Sequence, residues 1–357
     1  VVRLVQSKEQ LTKEIRNQLQ PKLLGAVLAK TIGEEARAEK LFREILVADP
    51  AWPQAMYQFL LFLRLTKGPR LESFETLDEA AATYQEAERI AHRLIGKLKM
   101  GDSQPKLSDL PENSDLFACF HALASVSERL GGIARSLGDL SRAQAEYKKM
   151  SEILQQLSKA APKNLEITRD ISVAHNSLGL VAKESGDLLG AAQHFEQSLR
   201  IMQKLAVRDP GNDRWQSSLS VSNERMGDIS LATGDLEAAF KHFEQSLMIR
   251  QGLVGKNPSD LDEKAALSIS HNRLGDIAGM RWDWDQATRH YQQSAVIREQ
   301  LASIDPSNSE WQHNLSGAYI RLGDTAKSRG ESEVAAKQYM TAHAVLANLV
   351  EADPKHS

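Results

Sequence analysis

Three equally spaced histidines are the first residues of this chain whose side chains could bind a metal. His194, His242 and His290 are 48 residues apart, and an aromatic residue directly follows each of them. If they occupy equivalent positions in stacked helical units, neighbouring rings lie roughly 10 Å apart, whereas the ligands of one metal lie about 2 Å from it. We therefore interpret them as half-exposed packing residues, and we expect no metal or other cofactor.

One cysteine and two aspartates offer little further chemistry. Cys119 is the single cysteine and cannot form an internal disulfide. It lies in a mostly apolar column of a repeated pattern, so we expect a buried, unreactive thiol. Asp283 and Asp285 lack the other oxygen ligands and the bidentate Glu of a calcium loop. No Gly-Lys-Ser/Thr motif is present to bind phosphate, and we expect a protein that is not an enzyme.

The composition excludes several classes of function. The 357 residues include 44 Lys+Arg and 47 Asp+Glu, for a formal net charge of −3, and 41% are hydrophobic. This balance disfavours a protein that coats nucleic acid or an anionic membrane, and no run of about 18 apolar residues could span a bilayer. We expect a cytoplasmic location. Because Val1 stands where a Met would start the chain, we also expect the sequence to begin inside a longer protein.

A strict period of 48 residues organises most of the chain. One glycine column, preceded each time by an apolar residue, is Gly131, Gly179, Gly227, Gly275 and Gly323. Seven residues later a second column, followed each time by an acidic residue, is Gly138, Gly186, Gly234, Trp282 and Gly330. An aromatic column is Tyr147, Phe195, Phe243, Tyr291 and Tyr339. Five copies in one register indicate a repeat architecture.

These columns have a physical interpretation as helix–turn–helix hairpins. A second-column glycine such as Gly186 stands where one helix ends in a positive φ, and the following Asp187 caps the next helix. A first-column glycine such as Gly179 lies inside a helix, where it costs about 1 kcal/mol relative to Ala. We attribute this cost to close packing, since the missing side chain leaves room for a ring such as Phe195.

The pattern resembles the tetratricopeptide repeat (TPR) family. The matching residues are Leu178-Gly179, Gly186-Asp187, Ala191-x-x-x-Phe195 and Pro210. That family has repeats of 34 residues, so these units resemble an elongated variant, similar to repeats in bacterial multidomain proteins. About seven extra residues per helix add two turns and keep the buried faces in phase. The resemblance implies an all-α, right-handed α-solenoid of about seven antiparallel helix pairs.

The register also divides the chain. Residues 1–115 are expected to form irregular TPR-like helix pairs with a polar loop at 100–115, and residues 116–357 to form five regular repeats. The bounds of those repeats are 116–163, 164–211, 212–259, 260–307 and 308–357. Such an array buries a continuous core between neighbouring hairpins, although no single pair is stable alone.

The resemblance implies a binding surface on a concave face, which the first helix of each hairpin lines. Its candidate partner-binding residues are Glu128, Arg135, Asn176, Lys183, Glu224, Asp228, Asn272, Asp276 and Asp324, with Trp282 in a turn. Carboxylates and amides dominate the middle of this set, which favours a basic or polar peptide. Trp282 replaces a turn glycine, and it either anchors a partner or covers the neighbouring hairpin.

The aspartates of this face leave two interpretations open. An arginine lies three residues before each of Asp228, Asp276 and Asp324. Such i,i+3 pairs would satisfy one another within a helix and contribute about 0.2–0.5 kcal/mol each. The carboxylates are therefore either paired on their own helix or available to a ligand. The arginines are Arg225, Arg273 and Arg321.

The sequence favours a non-catalytic scaffold or adaptor that presents a groove to a peptide or partner domain. The alternative is a regulatory or sensor segment of a larger effector, with a caspase-like protease, nucleotide-switch or kinase part outside this chain. We expect a protein or peptide partner, and neither nucleic acid nor membrane binding. The oligomeric state stays open.

Overall fold

The computed structural model describes residues 2–71, 76–98 and 106–352, and every regular element in these ranges is helical. The helices of the first half are α1 (Val2–Thr31), α2 (Glu35–Ala48), α3 (Pro53–Phe62), α4 (Gly68–Arg70), α5 (Leu77–Leu98), α6 (Asp115–Ser136), α7 (Leu140–Ala160) and α8 (Leu165–Glu184). Those of the second half are α9 (Leu188–Arg208), α10 (Asp213–Ala232), α11 (Leu236–Lys256), α12 (Leu261–Met280), α13 (Trp284–Ile304), α14 (Ser309–Ser328) and α15 (Ser332–Ala352). The predicted all-α class is confirmed.

The chain divides into two compact units, Val1–Asp187 and Leu188–Ser357. In the first unit α1 packs on α2 and α3 packs on α5, and then α5 packs on α6, α6 on α7 and α7 on α8. In the second unit every helix from α9 to α15 packs on its neighbour along the chain. This is the contact pattern of consecutive helical hairpins. The division predicted at residue 115 and the predicted repeat bounds stay predictions.

The turns between paired helices have the predicted geometry. Gly138 and Gly234 have φ values of 80° and 83°, in the left-handed region that only glycine enters at low cost. The carboxylate of Asp139 accepts a hydrogen bond from the backbone N–H of Arg142 at 2.9 Å, which caps α7. Because one residue ends a helix and the next one starts its partner, each hairpin needs only a very short turn.

The glycines inside the first helices allow the predicted close contact with an aromatic ring. A methyl group at Gly131 would lie 2.6 Å from Cε1 of Tyr147, and one at Gly275 would lie 2.5 Å from Cε1 of Tyr291. The same contact occurs in the irregular region, where Gly68 faces Tyr84. The repeat pattern does not reveal Gly68, because the π-helical turn Leu63–Lys67 interrupts the helix before it.

Replacing Gly275 with alanine should lower the free energy of unfolding by about 1–3 kcal/mol, because the new methyl group overpacks against Tyr291. Gly252 is a matched control: it is exposed in α11, and a methyl group there would have no atom within 4 Å. Alanine at Gly252 should instead stabilise the protein by about 0.5–1 kcal/mol. Urea denaturation followed by circular dichroism measures both, and equal effects would contradict the packing role of Gly275.

Other expectations are met in part. Cys119 is fully buried, and burial raises the pKa of its thiol to about 12, so it is the inert residue that was predicted. Of the predicted polar loop, residues 100–105 lie outside the described residues. The rest contains a short 3₁₀ turn, Leu107–Asp109, and the buried Leu110. None of the described helices has the length and apolar character required to cross a membrane.

Candidate functional site

Apart from Trp282, which lies in a turn, the candidate partner-binding residues lie on the first helices of the hairpins. We call these residues the first-helix face of each unit; they belong to α6 and α8 in the first unit and to α10, α12 and α14 in the second. Asp228 and Asn272 are only 8% and 5% exposed, whereas Asp324 is exposed. The half-buried members are Glu128, Arg135, Asn176, Lys183, Glu224 and Asp276.

The arginines of the second unit mostly pair across hairpins, not along their own helix. Nη2 of Arg273 in α12 lies 3.3 Å from Oδ1 of Asp228 in α10. In the same way, Nε of Arg321 in α14 lies 3.4 Å from Oδ1 of Asp276 in α12. The pair Arg225–Asp228, at 3.8 Å, is an i,i+3 contact. The i,i+3 interpretation is therefore correct for one arginine and wrong for the other two, because the neighbouring helix offers a carboxylate.

Tyrosines from the second helices hold two of the same carboxylates. The hydroxyl of Tyr291 donates to Oδ1 of Asp276 at 2.8 Å, and that of Tyr339 donates to Oδ1 of Asp324 at 2.7 Å. Burial and the neighbouring Asp276 raise the pKa of Tyr291, so it stays a donor. These aspartates are consequently fixed in orientation while part of each carboxylate remains accessible to a ligand.

Glu224 lies in a buried ionic cluster of the second unit. Its Oε1 accepts from the Ser246 hydroxyl at 2.8 Å and lies 3.3 Å from Nε of Arg250. Nη1 of Arg250 in turn lies 2.8 Å from Oε2 of Glu263 in α12. The Arg250 side chain is 6% exposed and those of the two glutamates are 19% and 16% exposed. This cluster links three helices, and the columns of the repeat do not predict it.

In the first unit the face surrounds a small cavity of about 260 Å³. Its lining includes Glu128, Arg135, Tyr147 and Ser177. Nη1 of Arg135 lies 2.7 Å from Oε1 of Glu184, so this cation also forms an ion pair between α6 and α8. Two amides of the face, Asn176 and Asn272, each have a buried side-chain oxygen without a hydrogen-bond donor.

The predicted histidine column is half-buried and makes contacts between helices. Nδ1 of His242 lies 3.2 Å from Oδ1 of Asn223, and Nδ1 of His290 lies 3.1 Å from Nδ1 of His271. At such a distance one neutral imidazole donates and the other accepts. Burial and the neighbouring His290 lower the pKa of His271 from 6.5 to about 4, so the pair is uncharged at neutral pH. The interpretation as packing residues is confirmed for His242 and His290.

Trp282 adopts φ = 60°, the position that glycine occupies in the turns of other hairpins. It is the one described non-glycine residue with a positive φ, and for a bulky side chain this conformation costs on the order of 1 kcal/mol. Its indole is 78% exposed. Trp282 therefore does not cover a neighbouring hairpin.

Within the described ranges, no three His, Cys, Asp or Glu side chains are placed to hold a metal ion. Within each unit, the fixed carboxylates, amides and cations instead form a series of polar groups on the first helices. These features define an all-α protein of stacked helical hairpins whose first helices present polar side chains.

Comparison with known proteins supports this class. No protein-family model and no curated protein matches the sequence. Among solved structures, BtubC from P. vanneervenii is 18% identical over 76% of this chain and 92% of its own, with a TM-score of 0.57. The apo form of RapI is 13% identical over 82% and 99%, with a TM-score of 0.47. A tetratricopeptide repeat protein from Parabacteroides merdae is 15% identical over 92% and 93%, with a TM-score of 0.42.

At these identities the likeness concerns the fold alone. The chain has a TPR-like fold, which confirms the resemblance inferred from its glycine and aromatic columns. Its assignment to an elongated class with 48-residue repeats stays a prediction.

Proposed function

We propose that this protein is a non-catalytic interaction scaffold whose first-helix face binds a polar or basic peptide segment of a partner protein. The observation that carries the proposal is the fixed orientation of Asp276 and Asp324, which tyrosines of the second helices hold in place. Preorganised carboxylates lower the entropic cost of binding a ligand.

The charges of the face support a basic segment. Asp324 is exposed, and its described partner is the neutral hydroxyl of Tyr339, so its negative charge stays open to a cation. Asp276 is partly compensated by Arg321. Asp228 is buried between two arginines and is a structural member of the set. Ligand contact is therefore assigned first to Asp324 and Asp276, and Asp228 contributes by holding the helices in register.

Selection from a random phage-displayed peptide library on the intact chain tests this function. We expect enrichment of sequences with Lys or Arg, and we expect Asp324→Lys to weaken binding of the selected peptides about tenfold or more, because an attraction becomes a repulsion. Glu244→Lys, an equal charge change on the exposed side of α11, should leave binding unchanged. Equal losses in the two variants, or no enrichment, would contradict the proposal.

The remaining parts of the proposal follow from the composition. The single, buried cysteine supports action in a reducing compartment such as the cytoplasm. The groups on the first-helix face are suited to recognition, and the scaffold acts through them without a cofactor.

A further inference from the structure

Three positions around the turn between α12 and α13 depart together from the repeat. Gly279 stands in a column whose other members are Arg135, Lys183, Leu231 and Lys327. Trp282 replaces a glycine, and Trp284 stands in the column of Leu140, Leu188, Leu236 and Ser332. Residues that recur serve the architecture, so simultaneous departures in one hairpin indicate a property of that hairpin alone.

The structure brings these three residues together, and we call them the tryptophan corner. A methyl group at Gly279 would lie 3.6 Å from Cζ3 of Trp284, an ordinary packing distance, so the indole lies directly beside this glycine. The rings of Trp282 and Trp284 meet edge to face, with centroids 5.5 Å apart and planes at 83°. Gly279 and Trp284 are therefore neighbours, and Trp284 supports the exposed Trp282 from one side.

Folding does not account for Trp282. Its left-handed backbone and its 78% exposed indole both raise the free energy of the folded state. Glycine, which the other regular hairpins carry there, would remove both costs. A strained and exposed aromatic residue is typical of a site that contacts another molecule.

The charges beside the rings are mainly negative. Nη2 of Arg281 forms an ion pair with Oε2 of Glu237 at 2.7 Å. Cζ of the same guanidinium lies 4.9 Å from the ring centre of Phe240. Arg329 is shared by Asp285 at 2.5 Å and Glu331 at 2.8 Å. Asp283 adds a carboxylate that caps α13. These groups comprise four carboxylates and two guanidinium groups, so their summed charge is negative, and Asp283 directly follows Trp282 in the chain.

We propose that the tryptophan corner binds the cationic side chain of an arginine or lysine in the partner protein, through the open face of Trp282. A cation above an indole is attracted by the ring quadrupole, and the surplus carboxylates add a longer-range attraction. The proposal rests on the proposed scaffold function and adds an anchor point outside the first-helix face.

Three fluorescent peptides test it on the intact chain by fluorescence polarisation. Each has three identical residues separated by Gly-Ser spacers, and these residues are arginine, neutral citrulline or leucine. We expect the arginine peptide to bind about tenfold more tightly than the citrulline peptide. Equal affinities for these two peptides, tightest binding of the leucine peptide, or no binding of any peptide would overturn the inference.

Two substitutions that leave the net charge unchanged test whether the preference for arginine comes from the indoles or from the surrounding carboxylates. Trp282→Gly and Trp284→Leu introduce the residues of the sister hairpins, so the fold is retained, and each should remove most of the preference for arginine over citrulline. Leu189→Ala is the control, because it removes another exposed apolar side chain, at the start of α9. If Trp282→Gly leaves the preference intact while Asp324→Lys abolishes binding, the corner is overturned and the scaffold function stands.

Discussion

Replacing Arg250 with methionine should lower the free energy of unfolding by about 3–5 kcal/mol. The guanidinium neutralises Glu224 and Glu263 in the interior of the second unit. Without it, two largely buried carboxylates lose their cation, and this costs far more than the new apolar contacts contribute. Urea denaturation of the intact chain at pH 7, followed by circular dichroism, measures the change.

Arg298 is the matched control, since it occupies the same column one repeat later and is equally buried. It donates to the Ser268 hydroxyl at 3.1 Å and to the carbonyl of Asn314. Burial lowers its pKa to about 10. The removal of Arg298 leaves no buried carboxylate without a cation. Arg298→Met should therefore lower the free energy of unfolding by no more than about 1 kcal/mol, or should raise it. Similar losses in both variants would contradict the ionic explanation.

A second experiment restores the charge balance that the Arg250→Met substitution removes. Met202, Asn176 and Ile167 stand in the columns of Arg250, Glu224 and Glu263, respectively. The triple variant Arg250→Met, Glu224→Asn, Glu263→Ile should therefore recover most of the lost stability. Failure to recover would mean that the cluster is needed for packing and not for charge balance.

Acidification should destabilise the second unit through the buried histidine pair. The pKa of His271 is lowered from 6.5 to about 4 by burial and by His290, whose own pKa is lowered by burial and by Arg289. Below pH 6.5 the unfolded chain takes up a proton that the folded chain accepts only near pH 4. The associated stability is therefore complete above pH 6.5 and is lost between pH 6.5 and 4, by about 3 kcal/mol for His271.

The variant His271→Asn isolates this contribution. It reproduces the contact of the preceding hairpin, where Asn223 faces His242 at 3.2 Å. We expect the free energy of unfolding of the variant to fall less steeply between pH 7 and pH 4 than that of the parent chain. Parallel pH profiles would show that the histidine pair does not control the acid sensitivity.

Much of each hairpin follows from local sequence. Gly138 ends one helix because it alone adopts φ = 80° at low cost, and Asp139 starts the next by capping its first turn. The pairing of Gly275 with the ring of Tyr291 was likewise predictable, because their separation recurs in every unit and glycine inside a helix requires a reason.

Contacts between hairpins were not predictable from the same patterns. Arg273 has an aspartate three residues ahead on its own helix, yet it pairs with Asp228 of the preceding hairpin. The choice depends on the stagger of two neighbouring helices, and a stagger of one turn moves a side chain by about 5 Å. Sequence spacing within one helix contains no measure of that offset.

The sequence by itself determined the class of protein, since helix ends and close ring contacts depend on residues a few positions apart. Tertiary structure alone decided which charged groups are used internally, such as Glu224, and which remain accessible, such as Asp324. It also decided that Gly279, Trp282 and Trp284 lie together. Burial and charge pairing depend on distances between separate helices, and these distances exist only after the hairpins pack together.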